Sequence, residues 1–354
     1  MGLVARFRKG RSPVKRLLAA ALAAIFTAAA GCAVPAASNG QAQSAVDHYA
    51  KGQLLKNMGM LDAALAELAR AVEADPKLTT AHAAIGDIHR LQNRLPQAVG
   101  AYERAVASNP HNFRNHYNCG FLHQMMADAA TAAKSAQRHL TRAVQLYLGA
   151  VALRASDYDA LLNLGVCYYR LGDYERAEGF CKRAIAVNGD LPDAYTNLGA
   201  VYDRQNRPYK AISMYRRSLE CDTQQGDVLM NLAAVYVKQD KLNSAMRTYR
   251  MVMEMRPDDP SPLERLGYCH YFKGDYEKAQ ELYRQALAKD SRHAPTHRGL
   301  GVVYMTRYLL GPKSVQLRDR ALAEWQISME LNPNQPALLK LIDKYAPKIA
   351  RSPL

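Results

Sequence analysis

No G-x-x-x-x-G-K-[ST] loop, no H-E-x-x-H, no G-x-S-x-G and no pair of acids in an evident cleft occurs in the 354 residues. Those patterns set a phosphate cradle, a metal-held water or an activated hydroxyl where the chemistry needs it. Without them the chain reads as non-catalytic, with no cofactor and no metal. Cysteine is scarce, six in all, and never in C-x-x-C spacing, which leaves no redox or zinc motif. Cys119, Cys167, Cys181, Cys221 and Cys269, the five beyond Cys32, are odd in number and read as small buried thiols. Tryptophan occurs once, at Trp325. The apolar run from residue 17 to 30 falls short of the ~20 residues that span a bilayer. Acids are outnumbered 32 to 47, for a net charge of +15. Six of the basic residues (Arg6, Arg8, Lys9, Arg11, Lys15, Arg16) precede that apolar run with no acid among them, so removing the segment leaves +9. The remaining excess permits contact with anionic lipid, glycan or nucleic acid. A solvated basic outer face is the plainer account, and no nucleic-acid partner is expected.

What is present is a beat. Residues 158–191 and 192–225 align without a gap at a period of 34: Leu164 falls on Leu198, Gly165 on Gly199, Tyr168 on Tyr202, Ala177 on Ala211. Self-similarity at this period marks a helix–turn–helix array. The small residues have a packing reason, because side chains larger than a methyl where two helices cross would push them apart. The register runs through 45–78, 79–112, 113–157, 158–191, 192–225, 226–259, 260–293 and 294–335. Gly52, Gly86, Gly120, Gly267 and Gly301 hold position 8; Ala64, Ala98, Ala245 and Ala279 hold position 20. Two units are longer. In the third, Gly120 and Ala143 are 23 positions apart where Gly165 and Ala177 are 12 apart, so 11 residues are inserted near 128–138. This stretch, DAATAAKSAQR, is helix-prone and predicts a lengthened helix. In the eighth, 8 extra residues near 309–316 include Gly311-Pro312, which predicts a loop. Pro336 opens a last helix, 337–345, placed to cover the end of the stack.

These positions resemble the tetratricopeptide repeat (TPR) family over residues 45–335. The resemblance implies an all-α, right-handed superhelical solenoid of about eight repeats with a capping helix and tail at 336–354. It also implies that first helices line a concave groove and that position 6 faces it. Position 6 is Asn118, Asn163, Asn197 and Asn231 in four consecutive units. An amide both donates and accepts, so such a ladder can clasp a peptide backbone without reading its sequence; family consensus alone would also account for it. Leu162, Val166, Tyr169, Met230, Ala234, Tyr268 and Tyr271 supply an apolar and aromatic floor for an extended segment, though Leu162 and Val166 serve equally well as inter-repeat packing. The family's carboxylate clamp is incomplete: Asn231 and Arg265 match it, Thr196, Ala200 and Ser261 do not. His82, His89, His116 and His123 hold positions 4 and 11, where aromatics usually pack. Partners seven apart on a helix are separated by about 10 Å, too far to share one metal, so core filling is expected. Cys167 and Cys181, on facing helices of one unit, are the candidate disulfide.

The amino terminus has a basic start, an apolar core and small residues at its exit, the form of a secretory signal at 1–31. Ala29-Ala30-Gly31-Cys32 resembles a bacterial lipoprotein cleavage site. That implies lipid on Cys32, a flexible tether over 32–44, and, with Ala33 next, a place on the outer membrane facing the periplasm; a soluble periplasmic product is the alternative. Residues so arranged imply a lipid-anchored, non-catalytic scaffold that holds a protein or peptide during assembly of an envelope, secretion or pilus complex. Two other expectations stand beside it. One is a glycan-binding part of an exopolysaccharide exporter, using Arg170, Arg204, Tyr169 and Tyr271. The other is an accessory subunit of a peptidoglycan enzyme.

Overall fold

Helices in consecutive pairs make up the described residues, 36–346 of a computed structural model. Cys32 and the signal-like segment lie outside them. The pairs are α1 (Ala36–Asn57) with α2 (Leu61–Ala74), α3 (Thr79–Leu91) with α4 (Leu95–Ser108), α5 (Phe113–Ala129) with α6 (Ala133–Leu153), and α7 (Tyr158–Leu171) with α8 (Tyr174–Val187). Then come α9 (Pro192–Arg204) with α10 (Pro208–Cys221), α11 (Gly226–Lys238) with α12 (Leu242–Met255), α13 (Pro260–Phe272) with α14 (Tyr276–Lys289), α15 (Ala294–Leu310) with α16 (Val315–Leu331), and a lone α17 (Pro336–Tyr345). No strand occurs among the described residues. The chain divides between Gly189 and Asp190 into two compact units. The first holds four hairpins; the second holds four and α17. Within each unit every helix packs on the next.

The beat of small residues is the hairpin's crossing point. Ala64, Ala98, Ala143, Ala177, Ala211, Ala245, Ala279 and Ala321, all at position 20, are fully buried. The glycines at position 8 receive the side chain from position 24 of the partner helix. A methyl on Gly199 would sit 2.7 Å from the Tyr215 ring, and one on Gly267 would sit 2.9 Å from Tyr283. Cys181 fills the same place over Gly165, while Cys167 turns its Sγ to Oε1 of Gln124 at 3.8 Å. Both are therefore free, buried thiols, and the bridge considered between them does not form. Burial pushes the pKa of each up to about 12.

Position 15 closes the hairpins. Gly59, Asn93, Gly172, Asn206, Asp240 and Gly274 all have positive φ. Each sits just past the first helix, and the next amide bonds back into the last turn, as Asp173 N–H does to the Tyr168 carbonyl at 2.9 Å. The two longer units have Ala127 and Tyr308 at this position, and both remain helical. Their helices run on: α5 and α6 reach 17 and 21 residues, α15 and α16 reach 17 each, against 13 or 14 in α7 to α14. The insertion in the third hairpin thus lengthens both helices around a short break at 130–132. The loop predicted near 309–316 shrinks to a turn at 311–314, because Leu309 and Leu310 continue α15 and Val315 already opens α16. The tether read over 32–44 is helical from Ala36 onward, where Ala36, Ala37, Ala42 and Ala45 favour helix over coil.

Between successive hairpins the turn is capped from both sides. Asn112, Asp157 and Asp259 accept from the backbone of the following helix. Gln225 and Gln335, at the same register, instead donate to the Ser218 and Ser328 carbonyls at the end of the preceding helix, each at 2.9 Å. His82, His116 and His297 point Nε2 at the Pro76, Pro110 and Ser291 carbonyls, each at 2.9 Å. Of the histidines expected as core, His82 and His123 are buried and His89 and His116 half-buried; two of the four, His82 and His116, therefore cap a turn rather than merely fill space.

Candidate functional site

The first helices of neighbouring hairpins touch directly, α1 with α3 in the first unit, α9 with α11 and α13 with α15 in the second. Position 6 lies on these helices. The four asparagines meet different fates. In the first unit, Asn118 Nδ2 donates to the Tyr102 hydroxyl at 3.0 Å. That hydroxyl donates to Asp87 at 2.6 Å, and Lys56 holds the other oxygen of Asp87 at 2.9 Å. Asn163 Nδ2 donates to the Tyr117 hydroxyl at 3.2 Å. Burial pushes the Tyr117 phenol up to about 12, with Asp159 adding to it and the Asn163 bond opposing. Both amides thus have one N–H committed to a tyrosine of the preceding hairpin.

In the second unit Asn197 is only 9% exposed and Asn231 is half-buried. Neither side-chain amide makes a hydrogen bond to any described residue. Thr196, beside Asn197, is turned away to the Ser218 hydroxyl at 2.7 Å. Met230 and Ala234, on either side of Asn231, are half-buried. Further along, Tyr268 packs on Phe272 with ring centres 4.6 Å apart, and the Tyr271 hydroxyl shares a hydrogen bond with Thr306 at 3.0 Å. Phe272 ends α13 exposed. Sequence reading does not single it out, since position 13 carries no fixed residue type from unit to unit.

Glu264 escapes sequence reading as well. It is 4% exposed and its carboxylate lies 3.2 Å from Arg265 Nε. Burial raises its pKa, with Arg265 and Arg298 opposing. In the first unit, Tyr169 packs its ring on Tyr174 at 5.8 Å, Arg170 pairs with Asp128 at 2.7 Å, Leu162 is buried and Val166 half-buried. Leu162 and Arg170 are thus occupied by their own protein. Among the described residues no group of three or more histidines, cysteines or acids could hold a metal ion, and no helix is long and apolar enough to cross a membrane.

A family model described as the cilia and flagella-associated protein 70 C-terminal domain matches residues 14–300. No curated protein sequence matches the chain. Solved TPR structures do. The anaphase-promoting-complex hetero-tetramer Cut9–Hcn1 aligns at 14% identity and a TM-score of 0.54, covering 85% of this chain and 55% of that one. A tetratricopeptide repeat protein from Parabacteroides merdae aligns at 15% identity and 0.48, covering 86% and 99%. The Pseudomonas aeruginosa pilF protein aligns at 18% and 0.46, covering 62% and 94%.

Proposed function

This chain belongs to the tetratricopeptide-repeat family, in the branch typified by that C-terminal domain, and from that premise we propose that it is a non-catalytic scaffold whose second unit holds an extended segment of a partner protein. The observation that carries this reading is the pair of side-chain amides on Asn197 and Asn231, which share one register position and have no hydrogen bond to the described protein. A hydrogen bond to a peptide backbone is worth about 0.5–1.5 kcal/mol net, so a guest segment that engages both amides gains from each. Adjacent helices lie about 8–10 Å apart and an extended chain rises about 3.3 Å per residue, so successive amides meet every third residue of the guest. Met230, Ala234 and Tyr268 offer apolar contact between those rungs.

A photo-crosslinker at Ala234 in intact cells should trap a partner segment. Asn197→Ala with Asn231→Ala should reduce that capture about tenfold or more while leaving helicity unchanged, as two lost hydrogen bonds imply. Unchanged capture in the double variant discards the groove.

The reading extends to where the scaffold works. The basic, apolar and small-residue order ahead of Cys32 supports export and lipid attachment at that thiol, with the array serving an envelope assembly from the outer membrane. Cys32→Ser should abolish labelling by radioactive palmitate and release the protein to the soluble fraction; labelling that survives the substitution rejects the anchor. The exporter reading draws less support, since Arg170 is already paired with Asp128.

A further inference from the structure

The added turns of α6, residues 133–139, have little apolar packing to hold them. No residue from Ala133 to His139 is buried, and Leu140 is the first that is. What reaches across to α5 is His139. Its Nδ1 lies 3.1 Å from Nδ1 of His123, and the two ring centres are 5.4 Å apart. The centre-to-centre distance exceeds the nitrogen gap by about two ring radii, so the nitrogens face each other head-on. A transition metal binds imidazole nitrogen at about 2.0–2.1 Å, and along this line would need a gap of about 4 Å. The head-on 3.1 Å gap is that of an N–H···N hydrogen bond.

The far side of His123 decides where the hydrogens sit. Nε2 of His123 faces Glu103 of α4 at 3.4 Å, and Arg142 of α6 donates to the same oxygen at 3.2 Å. At 3.4 Å this approach is a charge contact and not a hydrogen bond, and the negative charge favours a hydrogen over a bare lone pair on the facing Nε2 of His123. Nδ1 of the neutral ring is then a bare acceptor, and His139 must donate from its own Nδ1.

We propose that the His123–His139 pair is a proton-operated latch that holds the added turns of α6 against α5, closed while Nδ1 of His123 is bare and released when that nitrogen takes a proton. A proton on the outer Nε2 of His139 leaves the bridge in place and makes it charge-assisted, hence stronger. A proton on Nδ1 of His123 sets one N–H against another. The groups bearing on His123 are Glu103 from α4 and His139 and Arg142 from α6. Cys119, one turn earlier on α5 itself, has its thiol pushed up to about 12 by burial and stays neutral in acid. Burial holds the His123 pKa below its ordinary 6.5; Glu103 opposes, and His139 and Arg142 add to the depression. A depressed folded-state value means that the latch stabilises fully above about 6.5 and loses its effect as pH falls toward the lowered value.

Hydrogen exchange at the amides of residues 137–143, whose acceptors are the carbonyls of 133–139, tests this. In the wild-type chain their protection, corrected for intrinsic exchange, should fall about fivefold or more between pH 7.5 and 4.5, the worth of one hydrogen bond. His139→Leu should show the lower protection at both pH values. His123→Asn, measured the same way, should also lose the pH step. Nitrogen NMR of the imidazoles should find the Nδ1–H tautomer on His139 at neutral pH. A flat wild-type profile, an acid step that persists in His139→Leu, or the opposite tautomer overturns the latch. So does added Zn²⁺ that raises protection at pH 7.5 in the wild type alone, which would make the pair a metal site.

Discussion

Glu67 is a residue whose surroundings outweigh its burial. Its side chain is 8% exposed, with Lys51 at 2.7 Å, His48 at 2.7 Å and Arg70 at 3.1 Å. The Lys51 and His48 bonds, more than the opposing burial, carry its pKa from an ordinary 4.5 down to about 2. A lowered acid stabilises the fold fully above its unfolded value and stops doing so as pH falls through the folded one. Glu67→Gln should therefore flatten the decline in melting temperature between about pH 4.5 and 2 relative to wild type; an identical acid limb refutes the assignment. Asn118 teaches the complementary lesson. Its type and register are plain in the sequence, yet its amide is spent on Tyr102. No pattern along the chain distinguishes it from Asn231, because the difference lies in whether a tyrosine hydroxyl of the preceding hairpin reaches across.

Helix length is settled at a single position per hairpin. A left-handed residue at position 15 ends the first helix in six units, and a helix former or aromatic there lets it continue. Ala127 and Tyr308 are legible signals of long helices once position 15 is known to carry the stop. Without that knowledge Gly311-Pro312 is the stronger local signal, and it points to a loop. For an L side chain the left-handed conformation costs about 1–2 kcal/mol. Gly172, at φ 83°, should lose roughly that much stability as Gly172→Ala in urea unfolding followed by circular dichroism. No loss would mean that the turn has another stop.

Each row of hairpins has ends, and the carboxyl end of the second unit is closed by α17. Leu338 is buried in the cluster of Trp325, Leu322 and Tyr304. Terminal units of a repeat array keep the last apolar face from water. A chain ending at residue 335 should melt lower and aggregate sooner, by scanning calorimetry and light scattering; equal behaviour would show that α17 does not close the row. The sequence by itself determined the repeat, its register, the fully buried alanines and the closing helix, because each follows from local periodicity and from side-chain size at a crossing. Tertiary structure alone decided which asparagines stay unpaired, which histidines cap a turn, and that His123 meets His139. Those outcomes depend on angstrom-scale reach between neighbouring helices, and a linear pattern does not encode that distance.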